Sequence, residues 1–388
     1  MEKQRVEKKT SLKAKVQNAG IRGYYRVMRL FAAKKWQRAY IDYMENFLLS
    51  GEYYRTQRKL YRLLSANRPD IAHSRIKWMW VRIRTAMLAL LIGERADNFW
   101  SMDNPGNTLR QLWGGISSSR FSFAKDVLNS PDKKHLLRNK AEFADYLREF
   151  FCRGFCQTDK VTEAEFCDMF RTSPRLIVKP VMGMMGRDIR IYDVHDNLKE
   201  LYRQITALGP SIAEEYVFQS GILHEINPSS LNTIRVITLR DGESITPLCA
   251  MVRFGREGSA VDNLHSGGVA AVVELSDGRT ADGFTMTRNH LAVHPDSGKK
   301  ISGITIPRWK EVLDFCVRAH RKMPDGLNLI GWDVCVDDTQ LMLIEGNGDP
   351  GFAPYLKGNP NCWKLFKQYF SERERKSADA GQSAWYGD

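Results

Sequence analysis

Apolar positions in the first 125 residues recur at helical spacing, with Lys, Arg, Trp and Tyr prominent around them. Residues 21–49 and 52–64 follow this period, which predicts amphipathic helices. Residues 77–91 (KWMWVRIRTAMLALL) predict another helix, with basic polar positions. Such a helix is typical of a membrane-surface or other anionic contact, or of a core helix with a solvated basic edge. Helix packing is the commoner use of such a stripe, so the core interpretation is favoured.

From about residue 132 the pattern changes to short apolar runs that alternate with helical segments. Helices are predicted at residues 134–151, 197–207, 309–321 and 361–370. Strands are predicted at residues 175–179, 188–193, 211–217, 233–240, 245–254 and 268–275. The polar tail, residues 371–388, is predicted to be disordered.

Two further apolar runs, residues 328–336 and the run that starts at Leu341, flank a polar turn and predict an antiparallel hairpin. Glu345 and Asn347 are two apart, so they face the same side of their strand. The hairpin would bring Asp333 close to both. Two carboxylates and an amide oxygen suit Mg²⁺, which usually arrives with nucleotide phosphates. An acidic hairpin end in water is the alternative, but it explains poorly why these residues lie in apolar sequence.

A glycine-containing loop follows the strand that ends at Lys179. Gly183 and Gly186 lie in this loop, before the next predicted strand. Backbone N–H groups of such a loop can approach phosphates, and a lysine at the strand end supplies a point charge. Many hairpins carry two glycines, so the signal is weak by itself. No GK[ST] follows, which excludes a Walker loop.

The strand at residues 211–217 passes into a segment with apolar edges that could hold an adenine. Glu214 would accept from the exocyclic amine, and the backbone around Val217 would pair with the ring edge. A plain strand end is the simpler interpretation of these residues alone.

Two arginines, Arg235 and Arg253, lie within strand-like apolar runs, where each needs an anionic partner. The loop at residues 260–270 contains Asn263 and His265 and could place donors on a transferred phosphoryl group. A solvent loop is an equally good interpretation. His265 has no paired Ser or Cys, so it does not indicate a catalytic triad.

Composition limits where the protein is expected to be located and which kinds of molecule it is expected to bind. The 388 residues carry a formal net charge of +13, which favours anionic partners. The seven cysteines are scattered without a metal-binding pattern, which indicates a reducing cytosol and packing roles. The N-terminus is too charged for a signal peptide, and the longest apolar stretch, residues 85–93, is far short of a membrane span.

The order of these elements over about residues 132–370 resembles the ATP-grasp superfamily. The Asp, Glu-x-Asn and Pro-Gly elements are similar to those of D-alanyl-D-alanine ligase. The stretch from NTIRV through MVRFG to NLHSGG resembles the ribosomal-protein glutamate ligases. Among its subgroups, the chain most resembles the ATP-grasp proteins associated with sugar transfer. The resemblance implies an α+β fold in which two subdomains grip ATP, after a basic helical region.

The implied divisions are a helical region at residues 1–125, subdomains at residues 126–217 and 218–370, and the tail at residues 371–388. The resemblance assigns the α- and β-phosphates to Lys179, and the phosphate loop to Gly183 and Gly186. It identifies Lys140 with the earlier ATP-binding lysine of the family, and it assigns adenine binding to Glu214 and Val217. It assigns magnesium binding to Asp333, Glu345 and Asn347. Arg235 and Arg253 would face the γ-phosphate and the acyl-phosphate transition state, and Asn263 would lie in the catalytic loop. ATP and Mg²⁺ are the implied cofactors.

The leading hypothesis is an ATP-dependent carboxylate–amine ligase that works through an acyl phosphate. By family analogy, it would join an amino acid or similar carboxylate to a sugar or polysaccharide precursor that is lipid- or nucleotide-linked. One alternative is a kinase of a sugar or small-molecule hydroxyl, with His265 or Asp262 as the base. Another is a non-catalytic, nucleotide-binding adaptor.

The expected location is the cytoplasm, with peripheral contact at the inner face of the membrane left open for the basic N-terminal region. No nucleic-acid reader motif is present, so nucleic acid is not an expected partner.

Overall fold

The chain forms two units, each with its own buried side chains. The computed structural model describes residues 12–98, 116–183, 188–194, 197–256, 258–259, 262–351 and 362–379. One unit comprises residues 1–124 and 360–388, and the other comprises residues 125–359. Among the described helices, none is long and apolar enough to cross a bilayer.

The helix predicted at residues 52–64 is confirmed in the first unit, whereas the stretch predicted at residues 21–49 is divided into two helices by residues 31–34. Six described helices lie within residues 12–128. They are α1 (Leu12–Leu30), α2 (Lys35–Leu49), α3 (Glu52–Asn67), α4 (Pro69–Ala72), α5 (Arg75–Ile92) and α6 (Ser118–Leu128), the last of which runs across the unit boundary. Ser74 begins α5 by accepting a hydrogen bond from N of Lys77, and Gly93 ends it in the left-handed conformation. The predicted helix at residues 77–91 is confirmed.

Buried apolar clusters connect the helices of this unit. One cluster joins α3 to α5 through Leu60, Leu64, Leu88 and Ile92. A second cluster joins α1 and α2 to the buried side of α5. The N-terminal region therefore has a packed interior and is not merely a charged extension.

The second unit contains all of the described strands. Its helices are α7 (Lys134–Arg138), α8 (Lys140–Tyr146), α9 (Arg148–Phe151), α10 (Glu163–Met169), α11 (Leu198–Thr206), α12 (Gly221–Ile226) and α13 (Trp309–Lys322). Its strands are β1 (Phe155–Gln157), β2 (Arg175–Pro180), β3 (Arg190–Asp193), β4 (Ser211–Glu215), β5 (Thr233–Asp241), β6 (Ser244–Phe254), β7 (Val269–Val273), β8 (Thr280–Phe284), β9 (Leu329–Val336) and β10 (Leu341–Asn347).

Two antiparallel sheets organise this unit. A four-stranded sheet has the order β1-β4-β2-β3, and a six-stranded sheet has the order β10-β9-β5-β6-β7-β8. Phe166 of α10, the following Phe170 and Ile205 of α11 belong to the core on the smaller sheet. Helix α13 packs against β5, β6 and β9 of the larger sheet. The predicted hairpin of β9 and β10 is confirmed, with Glu345 opposite Asp333.

The single helix predicted at residues 134–151 is wrong in its continuity, because three short helices occupy that stretch. Asn139 interrupts it: its backbone is extended, and its side chain accepts from N of Glu142 to begin α8. Asn side chains compete with the helical backbone in this way. Asn139 also forms a β-bridge with Met182, so the break between the helices lies beside the segment that follows β2.

The predicted disordered tail is wrong for residues 371–379. These residues belong to α14 (Cys362–Asp379), which lies in the first unit. Phe366 and Phe370 of α14 are fully buried, and the Phe370 ring lies 5.6 Å from that of Trp36. Glu374 accepts from N of Lys35 at 2.9 Å, at the start of α2. A carboxylate beside a helix N-terminus is stabilising, so the polar end of α14 has a structural partner.

Candidate active site

A row of charged side chains crosses three strands of the six-stranded sheet. Arg235 on β5 lies opposite Asp333 on β9, which lies opposite Glu345 on β10. Residues opposite in register share a face, so the three side chains project together. Arg235 donates to both oxygens of Asp333, with 2.6 Å between Nη2 and Oδ2, and the same Nη2 lies 3.7 Å from Oε1 of Glu345. The hairpin thus brings Asp333 and Glu345 together.

Arg253 on β6 joins this row from the next strand. Its Nη2 lies 2.8 Å from Oδ2 of Asp333 and 3.4 Å from Oδ1 of Asp262. It also donates to the hydroxyl oxygen of Thr233 at 2.6 Å. Asp262 in turn accepts from N of Thr233 at 2.9 Å through its other oxygen. Both oxygens of Asp262 are therefore engaged in holding Arg253 and β5.

The pKa values of the two carboxyl groups of the hairpin are shifted in opposite directions. Burial alone would raise the pKa of Asp333, but Arg235 and Arg253 hold it well below its usual range. Burial, together with the adjacent charge of Asp333, raises the pKa of Glu345 to about 7. Because 46% of the Glu345 side-chain surface is accessible to solvent, burial of this side chain is incomplete, and the adjacent charge of Asp333 also supports the raised pKa.

The donor set at this hairpin fits a divalent cation. Asp333 and Glu345 are within hydrogen-bonding reach of each other, so a proton or a cation is needed between two anionic groups. Asn347 follows on the same face, with its Oδ1 accepting from N of Asp349 at 2.9 Å. Within the described residues, no cluster of three or more His, Cys, Asp or Glu side chains could hold a metal. A bound Mg²⁺ would therefore need further oxygen ligands, such as phosphate oxygens.

Lys179 lies in a second, largely buried ion network on the four-stranded sheet. Its Nζ lies 2.8 Å from Oε1 of Glu214 on the adjacent strand β4. Arg153 donates to Oε2 of Glu214 at 2.8 Å and 2.5 Å. Burial would raise the pKa of Glu214, but these two cations lower it to about 2. Each carboxylate oxygen of Glu214 thus already binds a cation. An adenine amine that donated to Oε1 would share this oxygen with Lys179.

Arg153 also connects the smaller sheet to the hairpin. Its Nη1 donates to the carbonyl oxygen of Leu343 on β10 at 2.7 Å and to that of Phe151 at 3.1 Å. The residue lies just before β1, in a stretch without a recognisable motif. The requirement for a partner to the buried Glu214 is the only signal that could have indicated it.

Lys140 begins α8 and holds the start of the glycine-containing loop. Its Nζ donates to the carbonyl oxygen of Gly183 at 2.9 Å and to that of Pro180 at 3.3 Å. Desolvation lowers the pKa of Lys140, while the charge of Glu345 raises it and that of Lys179 lowers it. The phosphate-binding candidates and the hairpin therefore lie within electrostatic reach of one another. Gly186 falls outside the described residues.

The remaining predicted residues lie in loops next to these networks. Val217 is half-buried two residues beyond β4. Asn263 precedes a short 3-10 helix (Leu264–Ser266), and its carbonyl oxygen accepts from N of Gly268 at 3.1 Å. A Cβ on Gly268 would lie 2.7 Å from the carbonyl oxygen of Asp262, so only glycine fits there. The roles assigned to these residues stay predictions.

The two-sheet α+β architecture, with Lys, Arg and Glu-x-Asn elements in this order, is that of the ATP-grasp class. Within it, a family model described as sugar-transfer associated ATP-grasp matches residues 154–358. The match covers more than half of the chain, and the chain belongs to this family. The expected fold, an ATP-grasp unit preceded by a basic helical region, is confirmed.

Three solved structures are similar to the chain at low identity. The first is an L-amino acid ligase from Bacillus licheniformis, at 13% identity and a TM-score of 0.38, with 61% of this chain and 49% of that chain covered. The second is the ATP-grasp ligase PsnB complexed with minimal precursor, at 16% identity and a TM-score of 0.38, with 80% of this chain and 75% of that chain covered. The third is D-alanyl-alanine synthetase A from Vibrio cholerae, at 10% identity and a TM-score of 0.40, with 64% of this chain and 68% of that chain covered. The chain spans about half the length of the first of these. The search of curated proteins found no match.

Proposed function

We propose that this protein is an ATP-dependent ligase that joins a carboxylate to an amine through an acyl phosphate. The observation that carries the proposal is the row of Arg235, Asp333 and Glu345, joined by Arg253, on one face of the sheet. Lys140 lies within electrostatic reach of Glu345 in this row and of Lys179. A transferred phosphoryl group is multiply anionic, and such an arrangement of cations and cation-binding carboxylates suits it.

The reaction needs two displacements. A carboxylate oxygen of the substrate attacks the γ-phosphorus of ATP, and ADP leaves with the electrons of the broken P–O bond. The neutral amine then attacks the acyl carbon, phosphate leaves, and the nitrogen loses a proton to form the amide. Neither step requires a nucleophile from the protein.

The protein's part is to fix charge in place before the reaction. Arg235 and Arg253 are held by Asp333 and Asp262, so their guanidinium groups need little rearrangement to meet a phosphoryl group. Mg²⁺, held by Asp333, Glu345 and Asn347, would neutralise phosphate charge. Glu214 fixes the Lys179 ammonium, which is assigned to the α- and β-phosphates. Adenine is assigned to the segment around Glu214 and Val217.

The substrates follow from the family description only in outline. Membership in the sugar-transfer associated family supports a sugar or polysaccharide precursor as one reactant. An amino acid or similar carboxylate joined to that precursor is our preferred pair. The precursor would be lipid- or nucleotide-linked, and the protein would act in the cytoplasm.

Hydroxylamine trapping tests this proposal directly. The protein is incubated with Mg-ATP, hydroxylamine and pooled carboxylates, and ADP and hydroxamate are measured together. Stoichiometric hydroxamate from one pool would establish an acyl phosphate and identify the carboxylate. ADP release without hydroxamate, together with a phosphorylated sugar, would replace the ligase with a kinase.

A pair of Glu→Gln substitutions tests the site itself. Glu345→Gln keeps the shape of the side chain but removes a charge from the proposed Mg²⁺ site, so ATP turnover should fall on the order of a hundredfold or more. Glu243→Gln is the matched control, since Glu243 is exposed in the turn between β5 and β6. Equal turnover in the two variants, with unchanged melting temperatures, would refute the assignment of Glu345.

A further inference from the structure

Helix α5 is apolar on two sides, but the described residues cover only one of them. Its inner side chains, which include Leu88 and Ile92, pack with Leu60 and Leu64 of α3. A helix that is apolar all round is ordinarily buried all round. The outer side of α5 departs from this rule.

Six large apolar side chains form the outer stripe of α5. They are Ile76, Met79, Trp80, Ile83, Met87 and Leu91, with exposures from 42% to 67%. Steps of three and four residues relate Ile76, Trp80, Ile83, Met87 and Leu91. Met79 lies four residues before Ile83, so all six lie along one face of the helix. The stripe extends over almost the full length of the helix, from Arg75 to Ile92. Isolated exposed apolar residues are ordinary, but a continuous stripe of this length marks an interaction surface.

Cations border the outer stripe without acids among them. Arg75, Lys77 and Arg82 are exposed, and α5 contains no Asp or Glu. Asp70 of α4 lies 2.9 Å from Arg68 and 3.3 Å from Lys77, so Arg68, Asp70 and Lys77 together keep a positive charge. The chemistry of the face is therefore apolar and cationic together.

The positive charge of the protein is concentrated in the part of the chain that carries this face. Residues 1–124 contain 24 basic and 9 acidic residues, whereas residues 125–388 contain 34 basic and 36 acidic residues. The net charge of the first part is thus +15 and that of the second is −2. The proposed ligase chemistry needs cations around ATP in the second unit, and it does not explain this excess in the first.

We propose that the outer stripe of α5 docks on an anionic membrane surface. The apolar side chains would enter the boundary between headgroups and acyl chains, while Arg75, Lys77 and Arg82 would meet lipid phosphates. The helix lies in the plane of the surface and does not span it, consistent with its length and charge. This inference concerns the first unit and does not depend on the proposed reaction.

Charge complementarity favours a lipid surface over a second copy of the chain. Two α5 stripes packed against each other would bring like cations together between two regions that each carry a net charge of +15. An acidic headgroup layer neutralises the same cations while it covers the apolar stripe. Nucleic acid would satisfy the charges but would leave the stripe without an apolar partner.

Vesicle flotation tests the proposal. The full chain is mixed with vesicles of phosphatidylcholine alone or of phosphatidylcholine with phosphatidylglycerol, at low and high salt. We expect binding only to the anionic vesicles, with affinity falling as salt increases. Replacement of three surface cations in the triple variant Arg75→Gln, Lys77→Gln, Arg82→Gln should weaken binding on the order of a hundredfold.

A second variant separates insertion from simple charge attraction. Trp80→Ser with Met87→Ser removes two exposed side chains from the outer stripe and should reduce binding at least tenfold at constant charge. Val293→Ser is the matched control, because Val293 is an exposed apolar residue of the second unit.

Three results would overturn the proposal: no binding to anionic vesicles, equal binding by the Ser variant and the control, or a dimer in sedimentation that the Ser variant dissociates. The last would assign the stripe to a second copy of the chain.

Discussion

Glu214→Gln is the sharpest test of how the buried ion network stabilises this fold. The substitution preserves the size and shape of the side chain but removes its charge. Among the described residues, Glu214 is the ion-pair partner of both Lys179 and Arg153, and the side chains of these cations are 11% and 4% exposed. The variant would therefore leave two cations buried beside a neutral amide whose NH₂ group faces another donor.

The size of the effect follows from this geometry. Removal of one partner from a buried ion pair typically destabilises a protein by about 3–5 kcal/mol, because a buried charge is left uncompensated. Here two cations lose the same carboxylate, so we expect the upper part of that range. Stabilities of whole domains are only about 5–15 kcal/mol, so the loss should be evident in any unfolding experiment.

Urea unfolding at pH 7, followed by circular dichroism, would measure the loss. At this pH the contribution of Glu214 is fully present, since its lowered pKa means that the contribution disappears only as pH falls from about 4.5 towards about 2. Glu163→Gln is the control, because Glu163 forms a partly exposed pair with Arg203 at 3.4 Å. The control should change stability by less than about 1 kcal/mol.

A double variant distinguishes stranded charge from lost packing. Lys179→Met added to Glu214→Gln removes one of the two stranded cations, so the double variant should be more stable than the sum of the single effects implies. A Glu214→Gln variant within about 1 kcal/mol of the wild type, or strictly additive single effects, would show that the network does not stabilise the fold as argued.

Three further predictions concern packing, pH and the last helix. Gly346→Ala should lower stability by about 1–3 kcal/mol in thermal unfolding, because its Cβ would lie 2.7 Å from Cζ of Phe143; an unchanged melting temperature would contradict this. His320 is buried, and desolvation lowers its pKa to about 3, so the unfolded chain takes up its proton first and stability falls as pH drops below about 6.5. The stability gap between the wild type and His320→Gln should therefore narrow from pH 7 to pH 5, and a constant gap would refute the reasoning. Glu374→Gln should cost about 0.5–1 kcal/mol by weakening the N-terminus of α2, measured by urea unfolding against the wild type.

Local patterns in the sequence determined most of the helices and strands and one half of the candidate site. Two apolar runs at residues 328–336 and 341–347, with a polar turn between them, are enough to predict that β9 pairs with β10. Once that register forms, Asp333 and Glu345 must share a face. The helices α2, α3, α5 and α13 likewise follow from apolar spacing, because their buried faces repeat with the helical period.

Only the tertiary structure decided which charges meet. Arg153 bonds the carbonyl oxygen of Leu343 across 190 residues of chain, and Asp262 meets Thr233 and Arg253 from a loop. Such partnerships depend on how separate elements pack, and no local period encodes them. The same reason explains α14: its polar residues resemble a tail in sequence, and they become helical because Phe366 and Phe370 are buried and Glu374 meets the start of α2. Short-range periodicity specifies elements, whereas burial of charges and aromatic rings against distant partners specifies the site.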